Sequence, residues 1–166
     1  MSDRGIGRVI KWIDVVSARL RQVHGEWLLR RGPARSPHMR TFEAFSAAPP
    51  VKAGEDFAVV LFMSSAQTQA LVMHAGVGVR PMLPNLNPGS PLDPASMPYD
   101  RVGLASWPRG NVRSGQPSCE RGMIVNRSDT KDFEVLTLPF HNDSGTVSMI
   151  YTVFDIPRSR WKETAS

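Results

Sequence analysis

The sequence predicts an α+β fold: a five-stranded antiparallel sheet with a helical crossover on one face, preceded by an N-terminal amphipathic helix. Three observations predict it. Apolar residues from Arg8 to about Leu29 recur at helical spacing, two apolar runs of strand length stand in the middle of the chain, and three more close it. With 166 residues, the chain is long enough for one domain with a real core and too short for a sensor joined to a catalytic output domain.

The first element occupies residues 1–32. Val9, Ile13, Val16, Leu20, Val23 and Trp27 are spaced by 4, 3, 4, 3 and 4 residues, which is the a/d seam of a heptad. A stripe of this kind has to be buried, and the reading assigns it to a homodimer or to a partner signalling protein; a helix lying on its own domain is the alternative. Gly25 weakens the last turns by about 1 kcal/mol relative to alanine, so the helix is expected to bend or end there. Residues 33–55 read as a linker. Pro33 and Pro37 disfavour helix before them, and a short helical turn from Thr41 to Ala47 is expected to stop at Pro49 and Pro50.

The main domain is expected at residues 56–157. Its first two strands, Phe57 to Ser64 and Gln69 to Gly76, are joined by a few small polar residues as a hairpin. Six prolines between Pro81 and Pro98 imply loops over the sheet, and Tyr99 to Ser114 could hold a short helix that Pro108 must bend or end. Pro117 to Asn126, Phe133 to Phe140 and Val147 to Asp155 are the last three strands. The final pair is joined by the turn formers of His141 to Gly145. Alternation puts Val147, Met149, Tyr151 and Val153 on one face of the last strand. Leu138 and Phe140 are expected to share a face, with Tyr151 in the sheet's other layer. Residues 158–166 form a charged tail after Pro157.

The formal charge of +5 is unevenly placed. Residues 1–40 carry nine Lys or Arg against three acids, and the remainder carries eleven against twelve. The body is therefore near neutral, and its strands hold few basic residues, which argues against nucleic acid as the partner. No apolar run approaches the ~18 residues a membrane span needs. Asp14, Arg19 and Arg21 interrupt the N-terminal apolar residues, against a secretory signal. The single cysteine, Cys119, fits a reducing compartment, so a cytoplasmic location is expected.

The order of two strands, an irregular middle and three strands resembles the PAS domain. The details look like a stand-alone subfamily of bacteria, chiefly alphaproteobacteria. The residues that carry the resemblance are the leading helix, Asp56 to Ser64, the Gly115-Gln-Pro117 step, Phe133-Glu-Val-Leu-Thr-Leu-Pro-Phe140, Asn142-Asp-Ser-Gly145 and Val147-Ser-Met-Ile-Tyr-Thr-Val153. The resemblance covers roughly residues 57 to 155. It implies a signalling module that binds a small ligand or a partner protein, and it names no ligand.

No cofactor is expected. The light-sensing branch of that family binds flavin through a cysteine in an Asn-Cys-Arg-Phe context, whereas Cys119 sits in Pro-Ser-Cys-Glu-Arg. The haem-binding branch uses a histidine on a helix facing the cavity. Here His74 falls on a strand, His141 in a turn, and His24 and His38 before the domain. No Cys, His or carboxylate cluster has metal-ligand spacing. Gly76-Val-Gly78 begins like a dinucleotide fingerprint, but Pro81 stands where the third glycine belongs. No Gly-x-Ser-x-Gly elbow is present. The chain is therefore read as a regulatory module and not an enzyme, with a small enzyme or ligand carrier on a sheet-plus-helix fold as the alternative. Met73, Met82, Tyr99, Trp107 and Met149 are the candidate lining of an apolar ligand pocket between sheet and crossover, and Arg80 and Arg101 flank it as partners for an anionic ligand.

Overall fold

A computed structural model describes residues 4–9, 17–64, 70–79, 87–92, 114–125 and 130–155 of the chain. The five expected strands are all present and antiparallel. They are β2 (Ala58–Met63), β3 (Ala70–Ala75), β5 (Ser118–Val125), β6 (Thr130–His141) and β7 (Val147–Asp155). Two further pieces extend the sheet at its edges, β1 (Arg4–Val9) beside β5 and β4 (Pro91–Leu92) beside β3, giving the order β1-β5-β6-β7-β2-β3-β4. The first hairpin thus lies against the last strand. Candidate residues Met82, Tyr99, Arg101 and Trp107, the expected helical crossover, and the charged tail lie outside the described residues.

The N-terminal segment differs from the expectation. Residues Arg4–Val9 are a strand paired along the outer edge of β5, so Val9 belongs to the sheet and not to a helical seam. Gly5 and Gly7 are poor helix residues, and pairing with β5 supplies the backbone hydrogen bonds a helix would have made. The helix α1 runs Ala18–Arg31. It starts at Ser17, whose hydroxyl accepts from the Leu20 amide at 3.1 Å, a side-chain cap of the kind that begins helices. It passes through Gly25 and ends at Gly32, which has φ 58°. Ile13 and Val16 lie outside the described residues.

Of the expected seam, Leu20, Val23 and Trp27 are fully buried on the chain's own sheet. They pack against Leu136, Leu138 and Phe140 of β6 and Tyr151 and Val153 of β7. The Trp27 indole donates to the Pro139 carbonyl at 2.9 Å. Pro139 is tolerated in a central strand because the β5–β6 ladder ends at Thr137, so no β5 acceptor goes unfilled there. These three residues of the stripe that argued for a second chain are therefore covered within the molecule. Ser17 also donates its amide to Glu134 at 2.9 Å and its hydroxyl to Asp155, and Arg19 pairs with Asp155 at 3.2 Å, fixing the start of α1 to β6 and β7.

The segment read as a linker packs on the same face. Helix α2 (Phe42–Ala47) and one turn, α3 (Pro49–Lys52), bury Phe45 and Val51 with the α1 residues. Helix α2 ends at Ala47, before the two prolines as expected, and Pro49 and Pro50 then open α3, because the first helical positions need no amide hydrogen. Phe42 and Phe45 meet Phe140 and Tyr151 with ring centroids 5.2–6.1 Å apart, the offset and edge contacts aromatic rings prefer.

The opposite face of the sheet is buried too, by a second cluster including Val59, Leu61, Val72, Phe133, Val135, Ile150 and Phe154. Two bulges shift residues between the faces. In β6–β7, Phe140 pairs with Met149 but His141 with Val147, so Val147 joins Ile150 in the second cluster while Met149 faces the helices. In β2–β3, Val60 pairs with His74 but Leu61 with Val72, and Met73 and His74 are both exposed. Tyr151, expected in the other layer, sits directly across from Leu138 on the helix-covered face. Gly76 and Gly78, which begin like a nucleotide fingerprint, have a packing reason instead. A Cβ at Gly76 would lie 2.2 Å from the Asp56 carbonyl oxygen, and one at Gly78 would strike the Phe57 ring at 2.5 Å.

Candidate functional site

The sequence-chosen ligand residues that are described do not form a site. Met73 is 43% exposed on the bulge of β3, and Met149 is buried in the helix-side core. Neither is among the residues that line the cavities described below.

The cavity under the helices has other walls. A space of about 190 Å³ lies between the α2–α3 segment and the β7-β2-β3 part of the sheet. Phe42 and Ser46 of α2 and Val51 of α3 form one side, Ala58, Val60 and Tyr151 the other, and Glu55 and His74 the rim. It exists because α1 covers the β6–β7 end of this face, while α2 and α3 are only six and four residues long and span the β2 end incompletely. The short 3₁₀ turn Glu55–Phe57 leads straight into β2, which brings Glu55 to the edge. There the His74 ring meets the Glu55 carbonyl at 3.1 Å.

Tyr151 is the chemically unusual member. It is 3% exposed, and its hydroxyl is buried with no hydrogen-bond partner among the described residues. Buried polar groups are normally paired, since leaving one unpaired costs about 1–3 kcal/mol. Burial pushes this hydroxyl well above the usual phenol range; Arg19 opposes the rise and Glu55 adds to it. The group therefore stays protonated and can both donate and accept. A largely apolar wall that includes the Tyr151 ring, with Ser46, Glu55 and His74 as its polar members, makes a small-ligand site in chemical terms. About 150 Å³ is enough for benzene, so the space takes a single ring or a short chain of like size.

Elsewhere among the described residues, the cysteine is buried and the other candidate reactive groups are paired. Cys119 is buried, and burial pushes its thiol up to about 12, with Glu134 adding to the rise, so it is unreactive as a nucleophile. Among the described residues no group of three His, Cys, Asp or Glu is placed to hold a metal ion, and no helix is long and apolar enough to cross a membrane. Asp143 bonds His38 at 2.6 Å and Arg40 at 3.1 Å, while Ser36 bonds His141 at 3.0 Å. Serine and aspartate thus meet different imidazoles and do not form a relay. No family model, no curated protein and no solved structure matches this chain.

Proposed function

We propose that the chain is a PAS-like regulatory module that senses a small, ring-sized ligand in the cavity beneath α2 and α3. One observation carries the reading: Tyr151, whose buried hydroxyl has no hydrogen-bond partner among the described residues, is part of the wall of a largely apolar cavity between helices and sheet. The element order supports the PAS-like part, with two strands, a long middle and three closing strands in one antiparallel sheet. The signal reaches another chain through the helices. An occupant touches Phe42, Ser46 and Val51 directly, and α3 packs on α1, so its binding free energy biases how these short helices seat on the sheet. We place the module in the cytoplasm, where a free thiol such as Cys119 is at home.

Native mass spectrometry of the purified protein tests the reading, alongside Ser46→Leu, which fills the cavity from the partly exposed side of α2. A small adduct retained by the wild type and lost in Ser46→Leu is expected, or uptake of an added ring-sized alcohol by the wild type alone. Equal uptake by both proteins would overturn it.

A further inference from the structure

A second concavity, about 530 Å³, lies at the far end of the sheet, where the chain after α1 crosses the β6–β7 turn. Its lining includes Arg35, Ser36, Ser114, Gly115, His141 and Thr146, and among the described residues no carboxylate lines it. The turn's own acid, Asp143, is bound to His38 and Arg40. The cleft is therefore cationic and rich in hydroxyls, and its size falls within the range of small-molecule sites.

The parts are held in place before any ligand arrives. The His141 amide donates to the Pro37 carbonyl at 2.9 Å, and Asn142 Oδ1 accepts from the Ser144 and Thr146 amides at 2.9 and 3.1 Å. Arg35 lies on Gly115, where φ is 91° and an added Cβ would come within 3.2 Å of the arginine stem, and it reaches the Ser114 carbonyl at 3.3 Å. Ser36 is 4% exposed, with its Oγ 3.0 Å from His141 Nδ1. Either tautomer of that pair keeps one donor in hand. When the hydroxyl donates to Nδ1, Nε2 carries a hydrogen; when Nδ1 donates to the hydroxyl, the serine hydrogen is left.

We infer that this cleft binds a small molecule through a carboxylate or phosphate group, gripped by the Arg35 guanidinium and the Ser36–His141 pair. Arginine's planar fork matches both groups in two-point contact, and hydrogen bonds to a charged group are roughly twice as strong as neutral ones. The site is independent of the Tyr151 cavity.

Titration of the whole protein with inorganic phosphate and, separately, with acetate, followed by NMR at low salt, tests it. Saturable shifts at Ser36, His141 and Thr146 are expected, with a Kd of about 1 mM or tighter for the better anion. Which anion binds better identifies the group. Arg35 is exposed, so Arg35→Met should keep the β6–β7 resonances in place and weaken binding by roughly tenfold or more. Tyr151→Phe should bind the anion as the wild type does. Added sodium chloride should weaken the wild-type titration, as charge screening requires. No saturable shift, unchanged affinity in Arg35→Met, or salt-independent affinity would each overturn the assignment.

Discussion

Replacing Tyr151 by phenylalanine tests the physical oddity on which the sensing cavity rests. The substitution removes one oxygen and leaves the ring among Phe42, Phe45 and Leu138. A buried tyrosine hydroxyl with a partner contributes about 0.5–1.5 kcal/mol, and its removal destabilises by that amount. Here the hydroxyl is buried without a partner among the described residues, so it has lost its hydration and gained nothing in return. That penalty is about 1–3 kcal/mol in proteins, and removing the oxygen recovers it. Tyr151→Phe should therefore stabilise the empty protein by about 1 kcal/mol or more, raising Tm by about 2–4 °C per kcal/mol for a chain of this size. Urea unfolding reads it as a higher midpoint at unchanged slope. The sign decides the matter. A midpoint lowered by the amount expected of a lost hydrogen bond would show that the hydroxyl is satisfied, and the cavity would lose its one specifying group.

Other expected outcomes follow from the packing of α1 and from the titrating groups. Leu20→Glu should cost the fold more than about 3 kcal/mol in urea unfolding, because Leu20 is 1% exposed and a charge there is buried without a partner; a folded protein changed only in oligomeric state would restore the seam to an interface between chains. Cys119 should resist thiol reagents at neutral pH and react once urea unfolds the protein, since burial raises its thiol to about 12; rapid labelling of the native protein would refute that burial. Asp143 has its carboxyl pulled below the ordinary value, first by the His38 hydrogen bond and then by the charges of His38 and Arg40. Its folded value lies below its unfolded one, so the stability it adds is present above the ordinary aspartate range and is lost as pH falls through the lower folded value. Asp143→Asn should consequently show a shallower acid limb in stability against pH, and an identical limb would remove the His38–Arg40 contacts from the account.

Much of the sheet is legible in the sequence because its signals are local. β7 has the boundaries its alternation predicts, and β2, β3 and β5 fall within a residue or so of theirs. β6 extends further at its start, to Thr130, because register with β5 continues past its apolar stretch. What local pattern could not set is which partner each segment meets. Val9 fits a heptad, yet β5 offers an open edge and claims Arg4–Val9 as a strand. Gly5 and Gly7 were the available warning, and Ser17 the available start for the helix. The bulges at Met73 and Ser148 turn single residues across the sheet, which strict alternation does not foresee.

The candidate site was hardly legible. A pocket lined by methionines beneath a later crossover is a reasonable expectation for a sheet with helices on one face. The cavity instead uses α2 and α3 from the segment read as a linker, whose seating on β2 and β7 is a long-range outcome. Tyr151 carried a usable signal: a tyrosine in the middle of an otherwise apolar inward-facing series needs a hydrogen-bond partner. The Ser36–His141 contact joins residues 105 apart in the chain, and no spacing rule marks it.

The most direct test of the sensing cavity is an NMR titration with phenol, a single ring bearing one hydroxyl. The account predicts saturable shifts gathered at Phe42, Val51, Ala58, Val60, His74 and Tyr151, with affinity in Tyr151→Phe reduced by roughly three- to tenfold through loss of one neutral hydrogen bond. Shifts scattered over the surface, or phenol bound equally well by Tyr151→Phe, would contradict it.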